Sequence, residues 1–262
     1  MKRFIMAAAA LLLLCAASAF SQTPEALAGY KAEQFVTETG HTLGYRVLTP
    51  ENILPGVKYP LVLFLHGAGE RGNDNARQLI HGGGQFLNPV NREKYPCYVL
   101  VPQCPEDAYW AYDIRPGSFD FNEMEAPEEP TEQIKAVKAL VDKYLSLDSV
   151  DPSRVYVMGL SMGGMATYDM VIRYPDLFAA AVPICGVVNV NRFKEAPKAS
   201  MWIAHGDADT TVPTEGSRAA YRRLRELGAT PKYTEFVGCG HNSWAPLWNL
   251  PEFLPWLFSQ HK

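Results

Sequence analysis

Residues 155–168, VYVMGLSMGGMATY, join a short apolar stretch to a helical pattern through a G-x-S-x-G motif. A serine in this setting is typical of a nucleophile elbow, a strained turn that holds the residue at positive φ and exposes its side chain. Side chains at positions 159 and 163 would clash with the neighbouring strand and helix, and glycine occupies both. The stretch predicts that Ser161 is a nucleophile. The alternative is a glycine-rich turn whose serine caps a helix.

Strand and helix patterns alternate on both sides of this motif. Alternating or continuous apolar stretches predict strands at 33–38, 43–49, 61–65, 97–102, 154–159, 178–185, 201–206 and 232–238. Helical spacing marks 131–146, 162–173, 214–227 and the C-terminal tail, with Thr131 as a cap and Gly228 as a stop. Alternation requires crossover connections, so we predict an α/β fold with a mostly parallel eight-stranded sheet and helices on both faces. Functional side chains then gather at the carboxyl ends of the strands.

The N-terminal segment is separate from this pattern. Residues 1–19 carry two basic residues, an apolar run and small residues, which predicts a secretory signal peptide whose cleavage could extend to residue 21. The mature chain, 20–262, would be one exported domain, periplasmic or extracellular. The uncharged run is slightly short for a membrane span, and no second run exists. Cys15 raises a lipid anchor as an alternative, but the residue before it is not small.

Charge and cysteine content limit the partners of the mature chain. Loss of the signal peptide leaves 22 basic against 28 acidic residues, a net charge of about −6. This negative net charge does not predict the basic surface that nucleic-acid binding requires. The four remaining cysteines allow three disulfide pairings; they are Cys97, Cys104, Cys185 and Cys239. The first two flank one strand and would lie ~20 Å apart, so they are not expected to pair. Without a C-x-x-C pair, no zinc site is expected.

A serine nucleophile needs a histidine to take its proton. The chain has six histidines, namely His41, His66, His81, His205, His241 and His261. His66 and His205 each precede glycine at the end of a strand, where we expect a structural hydrogen-bonding role. His241 follows the last strand in the glycine-flanked loop GCGHNSW, from which it can reach over the sheet edge. We predict His241 as the base; a surface-loop histidine is the alternative.

Two aspartates compete for the third position. They lie in HGDADTTVP, residues 205–213, between the serine and the histidine in the chain. Asp207 directly follows the strand, where its carboxylate is expected to accept backbone N–H bonds in the turn. Asp209 lies one turn further out and can lean toward a loop from the next strand. The residues favour Asp209 and keep Asp207 as the alternative.

With these motifs, residues 30–259 resemble the α/β-hydrolase superfamily, and most of all its secreted serine-esterase branch. That branch includes predicted peptidases, polyhydroxybutyrate-depolymerase-like esterases and feruloyl esterases. The order serine, acid, histidine is that of the superfamily. The acid motif of the branch, H-G-x-x-D-x-x-V-P, matches 205–213 with Asp209 as its acid. The resemblance therefore also favours Asp209.

Acyl transfer needs N–H donors where the negative charge of the tetrahedral intermediate develops. The amide of Met162, directly after the nucleophile, is one expected donor. The H-G-x-G pattern of the family maps onto residues 66–69 and implies the amide of Ala68 as the second. The alternative is an ordinary glycine-rich strand exit. We expect Glu70 and Arg71 to form an ion pair that shapes this loop.

Two tryptophans are candidates for a substrate pocket. Trp110 lies in the long, acidic and aromatic stretch 103–130, which is expected to be functional and could close as a lid. Trp244 follows His241 by three positions. Their flat apolar rings suit an acyl or a sugar group. For each, packing the loops down is the alternative.

Together these motifs predict an exported serine esterase that uses no metal and no organic cofactor. The expected substrate is a small-molecule or polysaccharide-linked ester, such as a feruloyl or acetyl ester of plant polysaccharide. One alternative is a serine peptidase of the prolyl-oligopeptidase-like type, and another is a non-catalytic binding protein on the same fold. A dienelactone-type hydrolase would carry cysteine at position 161, where this chain has serine. The oligomeric state is left open.

Overall fold

The computed structural model of the protein describes residues 28–111, 124 and 126–262. The predicted signal peptide and both of its cleavage positions lie outside these residues. So do positions 112–123 and 125 of the stretch expected to act as a lid.

The described strands form one eight-stranded sheet in the order β1-β2-β4-β3-β5-β6-β7-β8. Their bounds are β1 (Lys31–Val36), β2 (Thr42–Leu48), β3 (Tyr59–Leu65), β4 (Tyr98–Pro102), β5 (Val150–Leu160), β6 (Ala180–Ile184), β7 (Ser200–Gly206) and β8 (Lys232–Phe236). β2 pairs antiparallel with β1 and β4, and every other pair is parallel. The predicted mostly parallel, eight-stranded sheet is confirmed.

Helices connect these strands. The α-helices are α1 (Gly84–Leu87), α2 (Pro89–Lys94), α3 (Glu132–Leu145), α4 (Met162–Arg173), α5 (Thr214–Glu226), α6 (Trp244–Trp248) and α7 (Phe253–Phe258). The three long predicted helices are confirmed to within one residue at each end. The side chain of Thr131 accepts a hydrogen bond from the Ile134 N–H at 3.1 Å and caps α3. Gly228, at φ +87°, follows the end of α5 in the left-handed conformation that stops helices.

The sheet is buried on both faces. Every residue of β3 is buried, with its side chains alternating between the two sides of the sheet. One face packs against apolar side chains of α3, α4 and α5, and the other against those of α1, α6 and α7. None of the helices within the described ranges has the length and apolar character needed to cross a bilayer.

Three cysteines of the described chain are free thiols, namely Cys97, Cys104 and Cys185. Cys97, Cys104 and Cys185 are buried, and Cys239 is half-buried. Burial raises the pKa of Cys97 and of Cys104 to about 12 each. Such thiols stay protonated at neutral pH and behave as small apolar side chains.

A buried carboxylate connects α4 to the loops beside it. Asp169 is 1 % exposed and accepts hydrogen bonds from Arg173 at 2.9 Å and from Arg192 at 2.6 Å. Arg173 also donates to the carbonyl oxygens of Pro127 and Glu128, in the segment that leads into α3. One buried charge therefore holds three stretches of the chain together.

Replacing Asp169 with alanine should destabilise the fold strongly, because two guanidinium groups lose their buried counter-ion. We expect Asp169→Ala to lower the free energy of unfolding by about 3 kcal/mol in urea denaturation. Asp176→Ala is the matched control, since it removes an exposed ion pair with Lys198, and it should cost less than about 0.5 kcal/mol. Equal effects of the two substitutions would contradict this account of Asp169.

Candidate active site

Ser161 lies in a strained turn between β5 and α4. Its φ of +54° and ψ of −118° belong to a region that side-chain-bearing residues rarely adopt. A Cβ on Gly163 would lie 1.9 Å from the carbonyl oxygen of Leu65, and one on Gly159 would lie 2.4 Å from that of Gly163. The predicted need for glycine at both positions is confirmed. The turn presents the Ser161 hydroxyl at the carboxyl end of β5.

A chain of hydrogen bonds connects three side chains at this edge of the sheet. Ser161 Oγ lies 2.9 Å from Nε2 of His241, and Nδ1 of His241 lies 2.7 Å from Oδ2 of Asp209. Because a carboxylate only accepts hydrogen bonds, Nδ1 carries the ring hydrogen. Nε2 is then free to accept the hydroxyl proton of Ser161. The arrangement can make this serine a nucleophile.

The third side chain is ionised. The side chain of Asp209 is fully buried, and burial by itself would raise its pKa. Hydrogen bonds from His205, His241 and the Val212 N–H outweigh that effect and hold the pKa of Asp209 well below its ordinary value. Asp209 is therefore a carboxylate at neutral pH and attracts positive charge on His241.

The structure places Asp209, and not Asp207, against His241. Asp207 is exposed, and its Oδ1 accepts a hydrogen bond from the Gly238 N–H at 2.6 Å. Its own N–H donates to the carbonyl of Phe236 at 3.1 Å. Asp207 thus holds the turn after β7 to the turn after β8, which carries His241.

The two expected oxyanion donors begin helices at the ends of neighbouring strands. Ala68 is the first residue of a 3-10 helix (Ala68–Glu70) after β3, and Met162 is the first residue of α4 after β5. A Cβ on Gly67 would lie 3.6 Å from Cβ of Ser161, so the loop that leads from β3 to Ala68 passes next to the serine. N–H groups in a first helical turn have no intrahelical acceptor, and the helix dipole there favours negative charge. Both amides therefore lie where an oxyanion donor is expected, at the first residue of a helix.

The expectation of an ion pair between Glu70 and Arg71 is wrong. The Arg71 guanidinium donates to the carbonyls of Ala68 and Ala108 and lies over the ring of Tyr109. The carboxylate of Glu70 is buried and lies 3.5 Å from Nε2 of His81. Burial raises the pKa of Glu70, although backbone hydrogen bonds partly offset the effect.

His81, which follows β3 in the loop before α1, is a site residue that sequence reasoning did not place. Its ring centroid lies 4.9 Å from that of Trp244, whose ring lies 5.9 Å from that of His241. The ring of Trp244 therefore contacts both His81 and His241, and Glu70 interacts electrostatically with His241. Within the described ranges, no group of three or more His, Cys, Asp or Glu side chains is placed to hold a metal ion.

The two candidate pocket tryptophans have different surroundings. Trp244 is half-buried beside His241, where its ring can face a substrate. Trp110 is fully buried, and its Nε1–H donates to the carbonyl of His66 at 3.1 Å. The expectation that Trp110 lines a pocket is wrong, because its ring has no exposed face. Trp110 instead supports the start of the loop that carries Ala68.

The two histidines at strand ends both have hydrogen-bonding roles. His66 accepts a hydrogen bond from the Cys104 N–H at Nε2, and its Nδ1 donates to the carbonyl of Gly67. Burial lowers the pKa of His66 to about 4, so it is neutral. His205 contacts Asp209 directly, at 3.1 Å, which the sequence reasoning missed. The four-residue spacing in H-G-x-x-D was the available signal.

The described sheet and elbow define an α/β-hydrolase. The chain is 31% identical over 202 residues to Carboxylesterase SOBER1 of Arabidopsis thaliana. The aligned region covers 69% of this chain and 82% of the relative. It is 36% identical to the solved structure of a thermostable esterase, with a TM-score of 0.79 over 90% of this chain and 64% of that one. The chain belongs to the carboxylesterases of the α/β-hydrolase fold, and it is an esterase.

Two further matches cover smaller parts. Residues 119–204 match the prolyl oligopeptidase family, Peptidase S9. Over 130 residues the chain is 35% identical to poly(3-hydroxyalkanoate) depolymerase C of Paucimonas lemoignei, covering 48% of this chain and 28% of that protein. The first match contains the serine turn but ends before Asp209 and His241.

Gly163→Ala should destabilise the protein, because the new methyl group meets backbone atoms that cannot move aside. We expect the free energy of unfolding, measured by urea denaturation, to fall by about 1–3 kcal/mol. Gly69→Ala is the matched control, since a Cβ at that position meets nothing within 4 Å. Similar stabilities for the two variants would show that the contact between α4 and β3 is looser than described.

Proposed function

We propose that this esterase hydrolyses carboxylic esters through an acyl-enzyme on Ser161, with His241 as general base and then general acid. Asp209 orients His241 and stabilises its cationic form. The observation that carries the proposal is the unbroken hydrogen-bond chain from Ser161 Oγ through His241 to Asp209, at 2.9 and 2.7 Å. The ionised state of Asp209 supports it, because that charge favours proton transfer to His241.

In the first half-reaction, Ser161 Oγ attacks the ester carbonyl carbon as its proton passes to Nε2 of His241. The new carbon–oxygen bond leaves negative charge on the carbonyl oxygen, to which the N–H groups of Ala68 and Met162 donate hydrogen bonds. Collapse breaks the bond to the alcohol oxygen. That oxygen takes the proton from His241 and leaves as the free alcohol.

Water completes the cycle. It gives a proton to Nε2 of His241 as its oxygen attacks the acyl carbon. Collapse of the second tetrahedral intermediate breaks the bond to Ser161 Oγ, which recovers the proton from His241. The carboxylic acid leaves, and no metal or organic cofactor takes part in these steps.

The proposed substrates are small-molecule or polysaccharide-linked esters, with feruloyl or acetyl groups as the acyl part. The half-buried ring of Trp244 supports an aromatic acyl or sugar group, since it offers flat apolar area next to His241. The secretory signal pattern at 1–19 supports export, which would bring the enzyme to such substrates outside the cytoplasm.

Removing the nucleophile tests the mechanism. We expect Ser161→Ala to lower kcat for p-nitrophenyl acetate by about 10⁴-fold or more, because the proposed acyl-enzyme forms on the Ser161 hydroxyl. Ser146→Ala is the matched control, as its hydroxyl bonds only the carbonyl of Lys143 in the described structure. Equal rates for Ser161→Ala and the unaltered enzyme would overturn the assignment and favour a binding protein with a contaminating activity.

Trp244→Ala tests the aromatic acyl site. We expect its KM for methyl ferulate to rise by about 10-fold, as the loss of one aromatic contact of roughly 1.4 kcal/mol would produce. The KM for p-nitrophenyl acetate, whose acetyl group is too small to use the ring, serves as the internal control. Equal changes for both esters would place the feruloyl group elsewhere.

A peptidase is the second candidate, because residues 119–204 match the prolyl oligopeptidase family. Peptide p-nitroanilides distinguish the two activities, because an amine is a poorer leaving group than an alcohol and depends more on proton donation from His241. Hydrolysis of a prolyl p-nitroanilide as fast as of p-nitrophenyl acetate would favour the peptidase.

A further inference from the structure

His205 contacts the same carboxylate oxygen as His241. It is completely buried near the end of β7, and its Nε2 lies 3.1 Å from Asp209 Oδ2 and 3.1 Å from the carbonyl oxygen of Val212. Both of these oxygens only accept hydrogen bonds, so Nε2 carries the hydrogen and donates to them. Nδ1 of His241 donates to the same Oδ2 at 2.7 Å. One carboxylate oxygen thus joins two imidazole rings.

The other edge of the His205 ring is also held. Its Nδ1 lies 2.7 Å from Oγ of Ser217, a buried serine of α5. Because Nε2 carries the ring hydrogen, Nδ1 accepts the hydroxyl hydrogen of Ser217. Oγ of Ser217 also lies 3.1 Å from the carbonyl oxygen of Gly186, which follows β6. Because both ring nitrogens have fixed partners, rotation of the ring would break hydrogen bonds in a dry interior. His205 is therefore a rigid donor toward Asp209.

The two oxygens of Asp209 are anchored differently. Oδ1 accepts backbone N–H bonds from Thr211 at 2.8 Å and Val212 at 2.9 Å. Oδ2 has two side-chain donors, His205 and His241. His241 gains and loses a proton in every catalytic cycle, whereas His205 takes no part in that transfer. Of the two side-chain donors to Oδ2, His205 is therefore the one whose hydrogen bond does not change during the reaction.

We propose that His205 is a positioning residue for ester hydrolysis, which keeps Oδ2 of Asp209 on Nδ1 of His241 while the charge of His241 changes. The inference rests on the roles proposed above for Ser161, His241 and Asp209. Without the His205 donor, only the two backbone bonds at Oδ1 hold the carboxylate independently of His241. Oδ2 can then shift, and the His241 ring can follow it. Substrate does not contact His205, so the effect falls on kcat and leaves KM unchanged.

Two amide substitutions separate the two edges of the ring. The side-chain nitrogen of glutamine reaches the position of Nε2 and can still donate to Asp209. The side-chain amide of asparagine is one bond shorter and reaches only the position of Nδ1, next to Ser217. With p-nitrophenyl acetate, we expect His205→Gln to keep most of kcat. We expect His205→Asn to lose about 10²-fold with unchanged KM, the cost of a misplaced catalytic group.

A double-mutant cycle with Asp209→Asn shows whether His205 acts through the carboxylate. The His205→Asn loss should disappear in the Asp209→Asn background, because that enzyme has already lost the oriented acid. Trp202→Phe is the control for general destabilisation: Trp202 is fully buried on β7, and its indole N–H donates to Oγ1 of Thr234. We expect it to lower the melting temperature but not kcat.

Ser217→Ala is the second variant if His205→Asn does not fold. It frees the Nδ1 edge of the ring, and kcat should fall only where Asp209 is intact. Suppose that Ser161→Ala is inactive, as the proposed function requires. Equal kcat values for His205→Gln and His205→Asn, or an unchanged kcat in Ser217→Ala, would then overturn the positioning role of His205 and leave the proposed function intact. A fully active Ser161→Ala would overturn the proposed function and this inference with it.

Discussion

The backbone of α4 lies directly against the end of β3, with no side chain between them. A Cβ on Gly163 would lie 1.9 Å from the carbonyl oxygen of Leu65, so the helix approaches as closely as two peptide planes allow. This contact forces the sharp turn at Ser161 and its φ of +54°. It also brings the serine against Gly67, at the start of the loop that carries Ala68. The proposed nucleophile and the expected oxyanion donors are therefore placed by one backbone contact.

Two acidic side chains beside His241 have opposite electrostatic surroundings. Asp209 is surrounded by donors, which outweigh the cost of its burial and keep it ionised. Glu70 is buried with fewer donors, and its pKa is raised as a result. Positive charge on His241 lowers the pKa of both groups. Only Asp209 hydrogen-bonds the ring, and so only Asp209 also sets its orientation.

The parts of the site that follow from local sequence could be predicted. The glycines around Ser161 are required by the turn itself, and the H-G-x-x-D-x-x-V-P pattern distinguishes Asp209 from Asp207 within a few residues. The contact between Glu70 and His81 could not be predicted, because the loop that carries His81 has no strand or helix pattern to place it. The expectation of a pocket role for Trp110 is wrong for a similar reason. An aromatic residue in a long loop has the same sequence signature whether its ring packs inward or faces a substrate.

His66 and His205 show this limit most clearly. Both precede a glycine at the carboxyl end of a parallel strand, and both are fully buried. The Nε2 atom of His66 meets the backbone of Cys104, 38 residues away, and so its ring joins the loops after β3 and β4. The Nε2 atom of His205 meets Asp209, four residues on, and so its ring joins the strand to the acid. The same dipeptide thus joins two loops at one strand and, in the proposed mechanism, positions Asp209 at the other. The difference lies in the loop that follows each strand, because the loop decides which acceptor or donor the buried ring meets.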